Sequence, residues 1–274
     1  MKTFGKIYTG IVFALLYTPI LLLMLFSFNS SKNTVHFTGF TTKWYSELFT
    51  NGALLTLMRN TLIIAIIASV VATVLGTMAA VGIYRMKKRM QSLVLTVTNI
   101  PMTNPDIVTG ISLALLFVFI GGIMKQNNIL GFWTLLIAHI TFGLPYVILS
   151  VLPKIRQMDS NLMDAALDLG CTPLKAFFKV MLPEIMPGIF TGFTMVFTLS
   201  LDDFVISYFV YGSGFSTLPI EIYNYTKKPM PPTIYALFTV FFAVILVMMI
   251  LMNVFQARDD RKKAQKLANL NPPK

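Results

Sequence analysis

Four stretches of this chain run without a charged residue for longer than the roughly 20 residues that carry an α-helix across a ~30 Å hydrocarbon layer: Ile7 to Ser31, Asn60 to Tyr84, Gln126 to Pro153 and Pro229 to Ala257. No water pairs with backbone N–H and C=O groups in such a layer, so each stretch must close its own hydrogen bonds as a helix. Two further spans carry acids: Leu93 to Ile120 contains Asp106, and Gly188 to Val210 contains Asp202 and Asp203. Of the 274 residues 12% are charged and 55% are hydrophobic; soluble domains carry about a quarter charged residues. So little polar surface cannot solvate a globule of this size. The predicted fold is an all-α integral membrane protein, a single transmembrane domain over 1–274 with six helices at about 7–28, 60–84, 93–120, 132–152, 188–210 and 232–256. A charged loop, 153–187, separates the fourth and fifth.

The first run follows Lys2 and Lys6, as a secretory signal would, but it is long for a signal core. Phe26-Ser27-Phe28-Asn29 also offers no small-residue cleavage site, so it reads as an uncleaved span. Of the 22 basic residues, all but Lys32, Lys43, Arg59, Lys125, Lys227 and Lys228 fall at the N-terminus, in 85–92, in 153–186 and in the C-terminal tail. The positive-inside rule therefore predicts that both termini and the 153–187 loop are cytoplasmic. The net charge of +11 sits in short clusters beside spans, such as Arg85, Lys87, Lys88 and Arg89, where anionic lipid headgroups are the natural partner. Topology accounts for the basic balance without nucleic acid. The single cysteine, Cys171, can form no intrachain disulfide.

The charged loop reads as two short helices joined by a tight turn. Asp159 or Ser160 can cap the first, whose Leu162, Ala165, Ala166 and Leu169 recur at helical spacing and make one apolar face. Gly170 stands where that helix must stop, since glycine enters the left-handed conformation at little steric cost. Thr172 and Pro173 restart the chain as cap and first helical residue, and Leu174, Phe177, Phe178, Met181 and Leu182 form a second apolar stripe. Amphipathic helices of this kind can lie on headgroups or dock a partner.

The spacing Asp164-Ala165-Ala166, three residues, Gly170, nine residues, Val180-Met181-Leu182-Pro183 resembles the EAA loop of ABC importer permeases, with Asp164 for the usual Glu and Val180 for the usual Ile. Gly39-Phe40-Thr41-Thr42-Lys43-Trp44-Tyr45, Asn104-Pro105-Asp106-Ile107, His139-Ile140-Thr141-Phe142 and Ser200-Leu201-Asp202-Asp203 extend the resemblance to the spermidine/putrescine (PotC-type) permease family. It implies the type I importer permease fold, MetI-like, in a bacterial plasma membrane. It further implies a coupling site at Asp164, Ala165, Ala166, Gly170, Leu182 and Pro183. Implied partners are a second, PotB-type permease subunit, two cytoplasmic ATPases that hold ATP and magnesium, and an extracytoplasmic polyamine-binding protein.

Carboxylates facing lipid are costly, so intramembrane acids face a bundle interior or a watery path. At 1.5 Å per residue Asp202 lies roughly 21 Å beyond Gly188, and Asp106 roughly 20 Å beyond Leu93, with Pro101 and Pro105 expected to distort the third helix. A polyamine carries separated ammonium groups, each with three donors, and separated carboxylates suit it. On one continuous helix Asp202 and Asp203 would point about 100° apart, so one of them faces the lumen more fully. The alternative is that these acids bond between helices or pair with a basic group of a partner. Asp202 continues a small and polar stripe, Gly188, Thr191, Met195 and Thr198, that suits either permeation or packing. Ser200 is a candidate for a hydroxyl contact. Trp44 is a candidate cation–π face or an interfacial anchor. His139 suits a proton sensor or, more simply, a hydrogen bond between helices.

The sequence contains no Gly-x-x-x-x-Gly-Lys-Ser/Thr, so the chain itself is expected to hold no ATP and to be no enzyme. With His36 and His139 alone, a histidine metal site is not expected either. Two rivals remain open: the same importer architecture with another solute, and an ion-coupled secondary transporter using the acids as a relay. The second has no use for the loop at 153–187.

Overall fold

The computed structural model describes residues 2–31, 36–126, 128–159, 161–227 and 230–270. Ser160, one of the two expected caps, and Pro229, where the last apolar run begins, lie outside the described residues. The fold is all-α, in chain order α1 Lys2–Phe26, α2 Lys43–Thr50, α3 Gly52–Tyr84, α4 Lys88–Thr103, α5 Asp106–Ile123, α6 Phe132–Gln157, α7 Asn161–Asp168 and α8 Pro173–Ala176. A π-turn over Phe177–Met181 follows, then α9 Leu182–Asp202, α10 Val205–Val210, α11 Leu218–Thr226 and α12 Pro232–Leu270. Six of the described segments are long and apolar enough to cross a membrane: Gly5–Phe26, Gly52–Tyr84, Asp106–Ile123, Phe132–Gln157, Pro173–Asp202 and Pro232–Val254.

Three boundaries differ from the sequence expectation. The third span is not one distorted helix over 93–120 but two, α4 and α5, parted at Asn104 and Pro105. The fifth does not run from 188 to 210: α9 ends at Asp202 and a separate six-residue helix follows. The second loop helix is not free-standing either. From Pro173 the chain passes through the π-turn straight into α9, so Leu182 and Pro183 open the fifth membrane helix instead of closing a loop. Pro183 supplies the reason, because a proline lacks the N–H for an i→i−4 bond and its ring crowds the carbonyl four residues back. The turn before it widens, and Leu182 donates five residues back to Phe177 O. Pro153, expected to begin the loop, lies inside α6.

The chain forms two compact units. In one, Met1–Arg59 with Ile222–Ile250, the segment after α1 folds back on itself: Ser30 N–H donates to Gly39 O at 2.8 Å and Thr41 N–H to Phe28 O at 2.8 Å. Phe28 stacks on Phe40 and Tyr45, and Leu48 of α2 is fully buried. The other unit, Asn60–Glu221 with Leu251–Lys274, is built on the pairing of α6 with α9. The two backbones meet where a Cβ on Gly188 would stand 2.8 Å from Ser150 O and 3.2 Å from Val151 Cα, a closeness that requires glycine. Val147, Val151, Ile155, Ile185 and Val196 fill the seam, joined by Ala72, Ala80 and Ile83 of α3. The opposite face of α3, with Ile63, Ile66, Val70, Val74 and Met78, is open, as a lipid-facing stripe should be.

The small and polar stripe of α9 splits between two faces. Gly188 is buried against α6, whereas Thr191, Met195, Thr198 and Asp202 form a continuous exposed line.

A cavity between two broken helices

Both helix breaks open onto one cavity. Asn104, which precedes a proline, is driven out of the helical region to φ −74° and ψ 144°, and Pro105 follows at ψ 134°, so α4 cannot continue. Asp106 then stands in the first turn of α5, where a carboxylate favours the exposed N–H groups. At the other break Asp203 is extended, φ −63° and ψ 113°, between the end of α9 and the start of α10. Asp106, Asp202 and Asp203 line a space of about 280 Å³ together with Phe142, Tyr146, Leu199 and Phe204. No Lys or Arg lines it.

Phe142 and Tyr146 lie roughly 15 and 21 Å along an α6 that is roughly 39 Å long, so the cavity is level with the middle of that span. Asp106 therefore stands level with the middle of α6 as the first residue of a helix, not partway along one. Broken helices at membrane depth are tolerated where the freed backbone lines a cavity, and half-helix ends there are common places for charged cargo.

The aspartate pair does not project from one helix turn, because Asp203 lies beyond the end of α9. Asp202 is exposed to the cavity. Asp203 is mostly enclosed: its Oδ2 accepts from Ser207 N–H at 2.8 Å and from the Ser207 hydroxyl at 2.6 Å, and Oδ1 accepts from Ile206 N–H at 3.3 Å. His139 is buried behind it, 2.5 Å from Ser200 Oγ through Nδ1 and 2.9 Å from Ser207 Oγ through Nε2, with Nε2 3.5 Å from Asp203 Oδ2. The interhelical reading of His139 is what the geometry displays.

Two expected contacts fall elsewhere. Ser200 is buried and directed to His139, so it does not line the cavity. Trp44 belongs to the other unit and is 5% exposed; its indole N–H donates to Asn29 O at 2.7 Å and Lys43 Nζ stands 5.6 Å from its ring. It presents no open face to a ligand. Phe142, Tyr146, Leu199 and Phe204 were not anticipated. The available signal was spacing, since Phe142 and Tyr146 follow His139 by three and seven residues on one face of α6.

In the loop, Asp159 Oδ1 accepts from Asn161 N–H at 2.9 Å. Gly170 adopts φ +81°, its N–H donating to Leu167 O at 2.9 Å and that of Cys171 to Ala166 O at 3.0 Å, the two bonds of a Schellman stop. Asp164 and Ala165 are exposed, while Ala166, Ala176 and Met181 turn inward. Leu169 at 85%, Leu174 at 73% and Phe178 at 61% exposure stand outward around the turn. Of the apolar stripes expected here, part is core and part is an open patch.

Residues 72–264 match the family described as binding-protein-dependent transport system inner membrane component. The chain is 39% identical over 251 residues to the spermidine/putrescine transport system permease protein PotC of Escherichia coli (strain K12), covering 92% of each. It is 37% identical over 252 residues to the putrescine transport system permease protein PotI of the same strain, covering 92% of this chain and 90% of that one. Among solved structures, a bacterial ABC transporter involved in the import of the acidic polysaccharide alginate superposes with a TM-score of 0.75 at 16% identity, over 93% of this chain and 95% of that one. At that identity the likeness speaks for the fold alone. With six apolar helices, a glycine-stopped loop and a family match over most of its length, this chain belongs to the binding-protein-dependent transport system inner membrane components, multi-pass proteins of the plasma membrane.

Proposed function

We propose that this chain is one permease subunit of an ATP-driven polyamine importer. The observation that carries the reading is the mid-membrane cavity, lined by Asp106, Asp202 and Asp203 with aromatic walls and no basic side chain. Linear polyammonium cargo needs carboxylates for its ends and apolar surface for its methylenes. Phe142, Tyr146 and Phe204 supply that surface, and aromatic faces also attract ammonium groups. The names of the similar permeases favour spermidine or putrescine over other cations. The alginate importer shares the fold and takes an anion, so cargo is decided by cavity side chains and not by architecture.

The chain completes its pathway with a second, PotB-type permease subunit and receives cargo from an extracytoplasmic binding protein. Both termini and the 153–187 loop face the cytoplasm. Of two ATPase subunits, which hold ATP and magnesium, one seats on this chain's Leu169, Leu174 and Phe178 patch beside Asp164, Ala165, Ala166 and Gly170. Leu182 and Pro183 transmit their movement, because the second half of the loop and the cavity lie at two ends of one helical span, Pro173–Asp202, that runs on through the π-turn. The deciding experiment is uptake of labelled putrescine and spermidine by the co-expressed complex in vesicles, with ATP and with a non-hydrolysable analogue. ATP-dependent uptake of either polyamine is expected; equal uptake in both conditions, or none, would refute the assignment.

A further inference from the structure

We infer that the two adjacent aspartates have different tasks: Asp202 meets the cargo's ammonium group, while Asp203 and His139 are positioning residues that hold the end of α9 and the start of α10 in place. This rests on the polyamine reading for Asp202 alone.

Hydrogen-bond direction makes the case. The Ser207 hydroxyl donates to Asp203 Oδ2, so its oxygen is left to accept from His139 Nε2–H. Nδ1 is then the bare nitrogen and takes the Ser200 hydroxyl proton. The result is a one-way chain from Ser200 through His139 and Ser207 to Asp203, joining α9, α6 and α10, with every member at least largely enclosed. Both Asp203 oxygens are occupied by Ile206 and Ser207, the donors a helix start leaves unpaired. Asp202, one residue earlier, is exposed to the cavity, and no neighbouring side chain among the described residues bonds its carboxylate. A capping acid needs an acceptor oxygen; a cargo acid needs its charge.

That distinction is testable, because asparagine keeps one acceptor oxygen, enough for the two shorter bonds from Ser207, while it loses the charge and the 3.3 Å acceptor of Ile206 N–H. In the assembled complex, with putrescine as probe, Asp203→Ala should raise KM about tenfold and lower the thermal midpoint, and Asp203→Asn should recover most of both, as Asn and Asp cap comparably. Asp202→Asn should fare no better than Asp202→Ala, raising KM about 10- to 100-fold with abundance and thermal midpoint unchanged. His139→Phe keeps ring volume and removes both bonds, so it should raise KM as Asp203→Ala does. The double variant should be no worse than either single one, as members of one network are not additive.

If Asp203→Asn is as impaired as Asp203→Ala while the thermal midpoint holds, Asp203 is a cargo acid and the inference is wrong. Additive losses in the double variant would equally remove His139 from the chain. Should the wild-type complex move neither putrescine nor spermidine, the polyamine reading fails and the role of Asp202 with it. The thermal midpoints of the Asp203 variants would still decide the capping role.

Discussion

Gly170 stands in the left-handed backbone region that favours glycine. At φ +81° an L side chain costs about 1–2 kcal/mol, and Gly170 N–H and Cys171 N–H close the stop that turns α7 back toward α8. Gly170→Val should leave membrane insertion intact and reduce the ATPase that co-purifies with the complex; undiminished co-purification would remove the turn from the docking surface. Gly188 is constrained from outside instead, by Ser150 O and Val151 Cα. A Cβ there forces α6 and α9 apart, and overpacking of this kind costs about 1–3 kcal/mol. Gly188→Val should therefore lower the thermal midpoint and membrane abundance, whereas Gly82→Ala, where nothing stands within 4 Å, should leave both unchanged. The turn glycine was legible in the sequence because its neighbours are local. Gly188 read only as a small residue, because what restricts it comes from a helix about 40 residues away.

At the scale of elements, the two breaks have different origins. Asn104-Pro105 breaks a helix by local chemistry, so a distortion there could be expected, although not a complete parting of α4 from α5. Pro105→Ala lifts the restriction on Asn104 and restores an N–H. Helix then propagates across the break and carries Asp106 away from the cavity, and uptake should fall several-fold with abundance preserved. Full activity in that variant would mean the break is not needed. The second break has no proline or glycine beside it; Asp203 leaves the helix where Ile206 N–H and the N–H and hydroxyl of Ser207 give its carboxylate better partners. A reading by periodicity runs straight through such a site. The same limit applies to the loop: its apolar spacing was correct, but spacing does not tell Ala166 and Met181, which are buried, from Leu169 and Leu174, which stand open. Exchanging Leu169 and Leu174 for Ser should weaken ATPase association at least several-fold without changing the thermal midpoint of the permease.

For the whole molecule, the orientation proposed from the placing of the basic residues is measurable at Cys171, the chain's single cysteine and partly exposed. In the permease expressed without its ATPase, a membrane-impermeant maleimide should leave Cys171 unlabelled in intact cells and label it in inverted vesicles; the reverse pattern would invert the topology. Class, span number and the glycine-stopped turn of the loop were set by sequence alone, because hydrocarbon permits little besides helices for long uncharged runs and a glycine stop is a local matter. Which carboxylates share a cavity was decided only in the tertiary structure. Asp106, Phe142 and Asp202 come from three different helices, and the enclosure of Asp203 runs through Ser207 to a histidine more than 60 residues away in sequence. Periodicity places a residue on a helix face, but the partner that face meets is fixed by packing between helices.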